Sequence, residues 1–280
     1  MTKNKLRILA LGAGVQSSAL AFLVEKKKLP PVDAAIFADT GGEPAAVYEW
    51  LDYIKQNVSY PVHIVQKGNL TNDIKDFVEG KYGHLAIPLY TKAADGSRGM
   101  IRRTCTNNYK IKPVIKKVRE LLGYAPGERV PYNGEYLVDL IFGISRDEMI
   151  RIKRNELRYI ENQYPLIYDL KFTRQDCLNW LKDNNYPMPI KSACYYCPFH
   201  SNGSWLELKN KYPKEWEQAV KMDYELRKNN KQKSIKDEMY LHRSCEPLDI
   251  AMSKEENQLD LFPAHLDPFN DICDEGMCGV

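Results

Sequence analysis

Cysteine residues supply the first chemically specific pattern in this chain of 280 residues, which contains seven of them. Cys194 and Cys197 form a Cys-x-x-Cys turn, a spacing that places two thiolates on one metal ion or cluster and also occurs in redox pairs. Further ligands must come from elsewhere, and spacing alone favours zinc and an iron–sulfur cluster equally. The candidates are Cys105, Cys245, Cys273, Cys278 and, less favoured, Cys177, and in a zinc site His200 or His242 could replace one of the cysteines.

A turn of small residues near the N-terminus is the second pattern. Gly12, Ala13 and Gly14 link the apolar run 6–11 to a predicted helix that starts near residue 19. The free N–H groups and the dipole at a helix N-terminus bind anions, and small residues let a phosphate approach the main chain. The residues of this turn whose side chains complete the predicted phosphate site are Gln16, Ser17 and Ser18.

Asp39, Thr40 and Gly41 follow a second apolar segment, 34–38. Because open α/β sheets place their ligands at the carboxyl ends of the strands, we expect this segment to meet the glycine turn at one edge. A carboxylate there can accept a hydrogen bond from a ribose or a base. Neither the dinucleotide fingerprint nor a Walker A loop is present. The sequence therefore predicts a nucleotide site of another kind.

The elements that must position these residues alternate along the first part of the chain. Strand and helix patterns follow one another from residue 6 to residue 65, which predicts a mostly parallel sheet. Residues 110–122 have helical spacing, and 136–144 are typical of a buried strand. Thr173 is a candidate N-cap of a later helix. The fold class is therefore α/β, a parallel sheet doubly wound by helices.

Two parts of the chain are expected. Residues 1–185 form the nucleotide-binding α/β domain, and residues 186–280 form a small cysteine-rich C-terminal lobe and tail. Cys177 falls within a predicted helix of the first part, which favours a core position. Residues 83–99 lack a clear period, and we interpret them as a mobile loop.

Composition restricts the class of protein. The net charge is only +3, so basic character is local, in the tract 227–236 and the pair Arg102-Arg103. No apolar run approaches the ~18 residues that cross a bilayer. Since the first residues lead directly into a predicted strand, we expect no signal peptide, a cytoplasmic location and no membrane partner. Cysteines in such a compartment indicate metal or redox chemistry rather than disulfides.

The two glycine-containing segments resemble the PP-loop, or adenine nucleotide alpha hydrolase-like, superfamily, and within it the phosphoadenosine-phosphosulfate (PAPS) reductase-like branch. The loop of that branch reads Ser-Gly-Gly-x-Asp-Ser where this chain has residues 12–17, and the leading Ser, first Gly and Asp differ here. The resemblance implies ATP or a related adenine nucleotide as the ligand. It also makes magnesium a candidate ion.

The same resemblance selects among the cysteines. Iron–sulfur members of the branch carry Cys-Cys, then Lys and Pro, then a distant Cys-x-x-Cys. Cys105, Lys110 and Pro113 match the first part, and Thr106 stands where the second Cys would be. The resemblance therefore implies a 4Fe–4S cluster, with structural zinc as the alternative. Its predicted ligands are Cys105, Cys194, Cys197 and, as our choice for the fourth, Cys245, unless one iron stays open.

Two catalytic candidates also come from the resemblance. The segment 143–148 resembles a Gly-x-Arg-Arg-type segment whose basic residues face the phosphate or sulfate of the nucleotide, and Arg146 is its match. A guanidinium binds oxyanions bidentately. Reductases of the superfamily carry a nucleophilic cysteine near the C-terminus, and Cys278 is the candidate, although its neighbours Asp274 and Glu275 disfavour a thiolate.

Three functions follow. In the first, which we favour, ATP adenylates an acceptor, pyrophosphate leaves, and sulfur is transferred to a nucleic acid, tRNA or DNA. In the second, a thiolate attacks adenylyl sulfate or phosphoadenylyl sulfate, and a reductant resolves the S-sulfocysteine. In the third, the protein binds a nucleotide without turnover inside a larger complex. A sulfur-donor or reductant protein is an expected partner of the enzymes.

Overall fold

A computed structural model describes residues 5–81, 83–228 and 235–261, with side chains up to residue 257. Its strands, in chain order, are β1 (Leu6–Ala10), β2 (Ala34–Ala38), β3 (Val62–Val65), β4 (Tyr90–Lys92), β5 (Arg98–Met100), β6 (Val138–Phe142), β7 (Ile160–Gln163) and β8 (Glu238–Tyr240). Its α-helices are α1 (Val15–Glu25), α2 (Ala45–Gln56), α3 (Leu70–Val78), α4 (Lys112–Leu121), α5 (Pro165–Tyr168), α6 (Arg174–Asp183), α7 (Asn202–Lys211), α8 (Pro213–Lys228) and α9 (Leu248–Leu261).

The main sheet is parallel throughout and has the order β3-β2-β1-β6-β7. Strand β1 lies at its centre, where the chain first builds outward to β2 and later resumes on the other side with β6. This reversal between β1 and β6 is the topological switch point, outside which open α/β sheets bind their ligands. The predicted α/β fold class is confirmed.

Alternate residues of the central strands explain why helices lie on both faces. Leu9 and Phe37 belong to a core shared with α1, α2 and α6, whereas Ile8 and Ile36 belong to a core shared with α4. Strands buried on both faces must be apolar at consecutive positions, as β2 is. None of the helices in the described ranges is long and apolar enough to cross a membrane.

Two local signals identify where helices begin. Thr173 is the N-cap of α6, and its hydroxyl and the Asp176 carboxylate form a reciprocal capping box. The predicted helix at 110–122 is an α-helix only from Lys112, because a π-helical turn, Thr106–Ile111, precedes it. π-Helical turns are rare and frequent at functional sites. This one follows Cys105 directly and carries Lys110.

A second, antiparallel sheet has the order β5-β4-β8. Tyr90 pairs with Met100 on one side and with Tyr240 on the other. The interpretation of residues 83–99 as a mobile loop is therefore wrong, because 90–100 form a hairpin whose turn uses Gly96 at a φ of +86°. The predicted boundary between 185 and 186 stays a prediction, and the C-terminal lobe shares this sheet with β4 and β5.

Candidate active site

The turn between β1 and α1 presents main-chain donors to the carboxyl edge of the sheet. Gly14 is the N-cap of α1 with a φ of −93°, and no side chain caps the helix there. The Ser17 hydroxyl donates to the Gly14 carbonyl at 3.3 Å. Ala13 is buried at a φ of +55°, a left-handed conformation that costs energy for a residue with a Cβ. This arrangement suits an anion at the helix N-terminus.

Strand β6 approaches the same helix turn without intervening side chains. A Cβ at Gly143 would lie 2.6 Å from the Ser17 nitrogen and 2.7 Å from its Cα. Ser18 is fully buried, and its hydroxyl accepts a hydrogen bond from Trp50 Nε1 at 2.8 Å. Ser18 therefore joins α1 to α2, while the main chain of residues 14–17 faces the ligand edge.

Gln16 connects the turn to charged groups from two later segments. Its Nε2 donates to Glu148 Oε2 at 3.1 Å and to Ser145 Oγ at 3.3 Å, and its Oε1 accepts from Arg174 Nη1 at 3.4 Å. The sequence reasoning missed Arg174. Its position directly after the candidate N-cap Thr173, at the start of α6, is the one signal in the sequence that marked it.

Arg146, the predicted oxyanion ligand, is placed differently. It begins a 3₁₀-helical segment, Arg146–Arg151, its side chain is exposed, and its main-chain nitrogen donates to the Phe172 carbonyl at 2.8 Å. The pKa of Asp176 is lowered by hydrogen bonds from Thr173 and, to a smaller extent, by the charge of Arg146. Among the described contacts, Arg174 rather than Arg146 reaches the glycine turn.

Asp39 uses its carboxylate to hold its own loop. Oδ1 accepts from the Gly41 nitrogen at 2.7 Å and from the Tyr48 hydroxyl at 2.8 Å, and Oδ2 accepts from the Gln66 amide. A carboxylate has about four acceptor positions. A ribose or base could therefore donate only to a position that these three donors leave open. Tyr48 and Gln66 were not identified from the sequence. The pKa of Tyr48 is raised, first by burial and then by Asp39.

The loop 40–42 packs closely against the Cys-x-x-Cys segment. Gly41 has a φ of +73°, and a Cβ at Gly42 would overlap the Tyr196 hydroxyl. The Tyr195 nitrogen donates to the Gly42 carbonyl at 2.9 Å, and the Thr40 hydroxyl lies 3.2 Å from Cys194 Sγ. The loop after β2 is therefore in direct contact with a candidate metal ligand.

The same segment also reaches the glycine turn. A Cβ at Gly14 would lie 3.8 Å from Ser192 Cβ, an ordinary van der Waals distance. Residues 192–196 thus contact the loops after both β1 and β2, which brings the predicted phosphate site and a predicted thiol site to one edge of the sheet.

Cys105 and Cys194 are near enough to interact electrostatically. Burial raises the pKa of Cys194 to about 12, with Glu43 adding to the shift and Lys110 opposing it. Burial also raises the pKa of Cys105, and Arg103 and Lys110 oppose that shift. Both groups are therefore thiols at neutral pH unless a bound cation stabilises the thiolates.

Glu43 and Lys110 form an ion pair beside these thiols. Their charged atoms are 3.6 Å apart, and the Glu43 side chain is only 1% exposed. Ser192 Oγ donates to the other Glu43 oxygen at 3.4 Å. Glu43 was missed in the sequence, where only its position directly after Gly41-Gly42 marked it. A buried carboxylate next to a lysine provides a fixed charge pattern around Cys194.

The remaining cysteines are spread over the fold. The Cys197 nitrogen donates to the Cys194 carbonyl at 2.9 Å, which closes the turn between them. Cys245 is buried against the antiparallel sheet, with its thiol 3.7 Å from the Thr91 carbonyl oxygen. Cys177 is buried in the core of α1 and α6, as predicted. Cys273 and Cys278 lie outside the described residues.

A metal centre needs more donors than the two neighbouring thiols of Cys105 and Cys194. A 4Fe–4S cluster takes four thiolates and structural zinc takes four ligands. Within the described residues, no group of three or more His, Cys, Asp or Glu side chains is arranged to hold a metal ion. His200 Nε2 bonds to the Cys194 carbonyl, and its buried Nδ1 has no partner among the described residues, whereas both ring nitrogens of His242 are used, by Ser244 and Asn202. The described residues thus supply neighbouring thiols but not a complete metal site.

Comparison with known proteins yields structural likeness alone. No protein-family model and no curated protein matches this chain. The phosphoadenylyl-sulfate reductase from Candida auris, in a phosphate complex, aligns with 65% of this chain and 74% of its own at 14% identity and a TM-score of 0.43. The U34-tRNA thiolase NcsA from Methanococcus maripaludis, with its 4Fe–4S cluster, aligns with 90% of this chain and 81% of its own at 12% identity and a TM-score of 0.36.

Both alignments have identities below 15% and TM-scores below 0.5, so they report a likeness in structure and no family membership. At these TM-scores the likeness adds nothing to the placement of ligands or to the roles of single residues. The placement of ligands and the roles of single residues are argued from the strand order and from the contacts within this chain. The chain thus has the parallel α/β sheet that its sequence predicts, and it aligns over part of its length with these two solved structures.

Proposed function

We propose that this protein binds ATP at the carboxyl edge of β1 and β2, adenylates an acceptor in a nucleic acid, and promotes the transfer of sulfur to it. One observation carries the proposal: residues 192–196 contact the loops after both strands, with Cys194 Sγ 3.2 Å from the Thr40 hydroxyl. An anion site and a thiol site therefore share one edge. A protein that only bound a nucleotide would not need that proximity.

The residues that would hold the nucleotide belong to this chain. The main-chain N–H groups at the start of α1 bind phosphate oxygens, and the Arg174 guanidinium, next to Gln16, binds the same group from the side. Gly14 leaves room for the phosphates to approach. Lys110, paired with Glu43, contributes positive charge on the side of the thiols. The departing pyrophosphate is stabilised by the same donors.

The proposed steps balance without a change of oxidation state. The acceptor oxygen forms a bond to the α-phosphorus of ATP as the bond to the bridging oxygen breaks, and pyrophosphate leaves. Sulfur from a donor at the sulfide level then forms a carbon–sulfur bond while the carbon–oxygen bond to AMP breaks. Any proton on the incoming sulfur passes to solvent. The donor is sulfide, or a separate carrier protein with a thiocarboxylate, whose own carbon–sulfur bond is then broken by water to leave a carboxylate.

A reductase is the second candidate, favoured by the altered phosphate loop. Gln16 occupies the position of the family Asp, and its amide is already bound to Ser145, Glu148 and Arg174. A thiolate that attacks adenylyl sulfate needs no pyrophosphate release. In that reaction a sulfur–sulfur bond forms as the sulfur–oxygen bond to AMP breaks, and a dithiol then reduces the S-sulfocysteine, releasing sulfite.

The test compares two Gly→Ala variants. Gly14→Ala fits the unliganded fold, because its φ is −93° and the nearest atom to the new Cβ is 3.8 Å away. The methyl group adds bulk at the N-cap of α1, the first residue of the proposed anion site. Gly83→Ala is the control, since a Cβ there meets nothing within 4 Å. We expect Gly14→Ala to weaken ATP binding about tenfold or more and the control to bind as the wild type does.

Two activities are then measured side by side on both variants and the wild type. Acceptor-dependent release of pyrophosphate from ATP supports the proposal, and sulfite release from adenylyl sulfate with a dithiol supports the reductase. Tight ATP binding with neither product identifies a nucleotide-binding protein without turnover. Equal ATP affinity of the Gly14→Ala and Gly83→Ala variants would show that the site has been placed wrongly.

A further inference from the structure

A groove of about 630 Å³ lies beside α4, on the sheet face opposite α1 and α2. Its accessible apolar floor comes from Ile111, Ile115 and Leu157, whereas the other apolar residues that border it are buried, namely Leu140, Phe142, Ile144 and Val114. Helix α4 packs over β2 and β3, and a short 3₁₀-helical segment links β6 to β7.

The walls of this groove are strongly basic. Seven Lys and Arg residues line it, against a single acidic residue, Glu156. Lys112, Lys116 and Arg119 repeat at i, i+4 and i+7 on one face of α4, a row about 10 Å long. The opposite wall contributes Arg151, Lys153 and Arg154. Since the whole chain has a net charge of only +3, this is a marked local excess.

Several of these cations make no ion pair with a carboxylate in the described part of the chain. Arg151 pairs with Glu148 at 2.9 Å, and Arg119 donates to main-chain carbonyls. Lys116, Lys153 and Arg154 are exposed, and none of the described carboxylates lies within ion-pairing distance of them. Unpaired like charges around one groove repel each other, and a bound polyanion would relieve that repulsion.

We propose that this groove binds a segment of single-stranded nucleic acid, with phosphates between the two basic walls and bases on the apolar floor. The inference extends the proposed function and rests on it, because it assigns the surface that holds the acceptor. The two walls carry more positive charges than one phosphate group can bind. This favours a strand with several phosphates over a free nucleotide. The bases of a duplex are stacked inside, so only a single strand can also use the floor.

One end of the groove leads toward the thiols. Arg103 lines it, and the charge of Arg103 acts on the neighbouring Cys105. The π-helical turn that starts after Cys105 contributes Thr106 and Asn107 to the lining. A strand in the groove would therefore bring one nucleotide to the edge at which the phosphate turn and Cys194 meet.

The test removes two of the unpaired charges. Fluorescence anisotropy measures the binding of a labelled single-stranded RNA of about 12 nucleotides, a length that covers a typical single-strand site. The variant Lys153→Ala/Arg154→Ala is compared with Lys28→Ala/Lys182→Ala, which removes two exposed lysines outside the groove. We expect the groove variant to bind at least about fivefold more weakly, and its slope of log K against log salt to fall by about 1.4. The control should match the wild type.

The outcomes separate this inference from the proposed function. Absence of RNA binding at low salt, or equal loss in both double variants, would overturn the groove assignment. Displacement of the RNA by an equal concentration of AMP would also overturn it, in favour of a small nucleotide. ATP binding is measured on the same proteins: if it survives while RNA binding never occurs, the nucleotide site stands and the groove fails. RNA binding without any ATP binding would support the groove and overturn the nucleotide site.

Discussion

The Thr40 hydroxyl and the Cys194 sulfur lie 3.2 Å apart, although 154 positions separate them in the chain. Thr40 belongs to the loop that ends β2, and Cys194 begins the Cys-x-x-Cys turn. The same hydroxyl accepts a hydrogen bond from the Gly42 nitrogen at 3.3 Å. One small side chain thus connects the predicted nucleotide loop to the thiol site.

Replacing Thr40 by Val should test this connection with little change of shape. The substitution removes the hydroxyl from a position that is 1% exposed and leaves the Gly42 nitrogen without its partner. We expect the free energy of unfolding to fall by about 1–3 kcal/mol, as measured by urea denaturation. Thr91→Val is the matched control, because Thr91 is also buried and none of the described hydrogen bonds uses its hydroxyl. Equal losses in the two variants would contradict the specific role of Thr40.

Because Arg174 and Arg146 are placed differently, we expect their replacement to affect nucleotide binding to different extents. The guanidinium of Arg174 bonds to Gln16 in the phosphate turn, whereas the side chain of Arg146 is exposed beside Asp176. We expect Arg174→Gln to weaken ATP binding about tenfold, in the range of a charge-assisted hydrogen bond, and Arg146→Gln to change it less than about twofold. Isothermal titration calorimetry measures both. The reverse ranking would restore Arg146 as the phosphate ligand.

Metal analysis decides what the cysteines hold. Protein purified without oxygen should contain about four irons and four sulfides per chain if the predicted cluster is present. Ser replacements of Cys105, Cys194 or Cys197 should then each remove most of the iron, while Cys177→Ser, in the core of α1 and α6, should keep it. One zinc and no iron would demote these thiols to a structural site.

Cys245 needs a separate measurement, because its thiol contacts the Thr91 carbonyl in the antiparallel sheet. If it is the fourth ligand, Cys245→Ser should lower iron content as far as Cys194→Ser does. The described contacts instead lead us to expect full iron content in Cys245→Ser. A fall in iron would show that the lobe closes around the metal.

Two buried histidines should make the fold sensitive to acid. Burial lowers the pKa of His200 to about 3 and that of His242 to about 4. An unfolded chain protonates histidine near pH 6.5, so below that pH the unfolded state binds more protons than the folded state. Stability should therefore be complete above about pH 6.5 and fall toward pH 4, by up to about 1.4 kcal/mol per pH unit for each histidine.

Unfolding by urea at a series of pH values measures this slope. Gln can keep the hydrogen bonds that His200 donates to the Cys194 carbonyl and that His242 donates to Asn202. We expect each single His→Gln variant to reduce the slope and the double variant to flatten most of it. An unchanged slope in the double variant would assign the acid sensitivity to other groups.

The strands and helices around the site were predictable because their signals are local. The five-residue apolar run of β2 and the capping residues of α6 depend on neighbours in the chain. The strand β4 was missed because Tyr90 is stabilised by pairing with Met100 and with Tyr240, and the second partner lies 150 residues away. Pairing between strands that are distant in the chain leaves no periodic pattern in the local sequence.

The site was predicted in part for the same reason. Gly14, Asp39 and Cys194 could be found because the types of their neighbours follow known anion-binding and metal-binding patterns. Tyr48 carries no pattern of its own, and Arg174 and Glu43 are marked only by the residues that precede them. The folded chain brings all three to the ligand edge. The sequence therefore indicated which loops lie together at the ligand edge. The charged side chains between those loops are brought there by tertiary contacts, which the sequence does not show.

The contacts of residues 192–196 with the loops after β1 and β2 have a consequence for the order of events during synthesis. On the ribosome, the first two strands emerge long before this segment does, so the early chain exposes its anion-binding turn with no thiol beside it. Contacts between distant residues form slowly, because a long loop must close before they are made. The nascent protein therefore completes the proposed site only when about two-thirds of the chain has been translated.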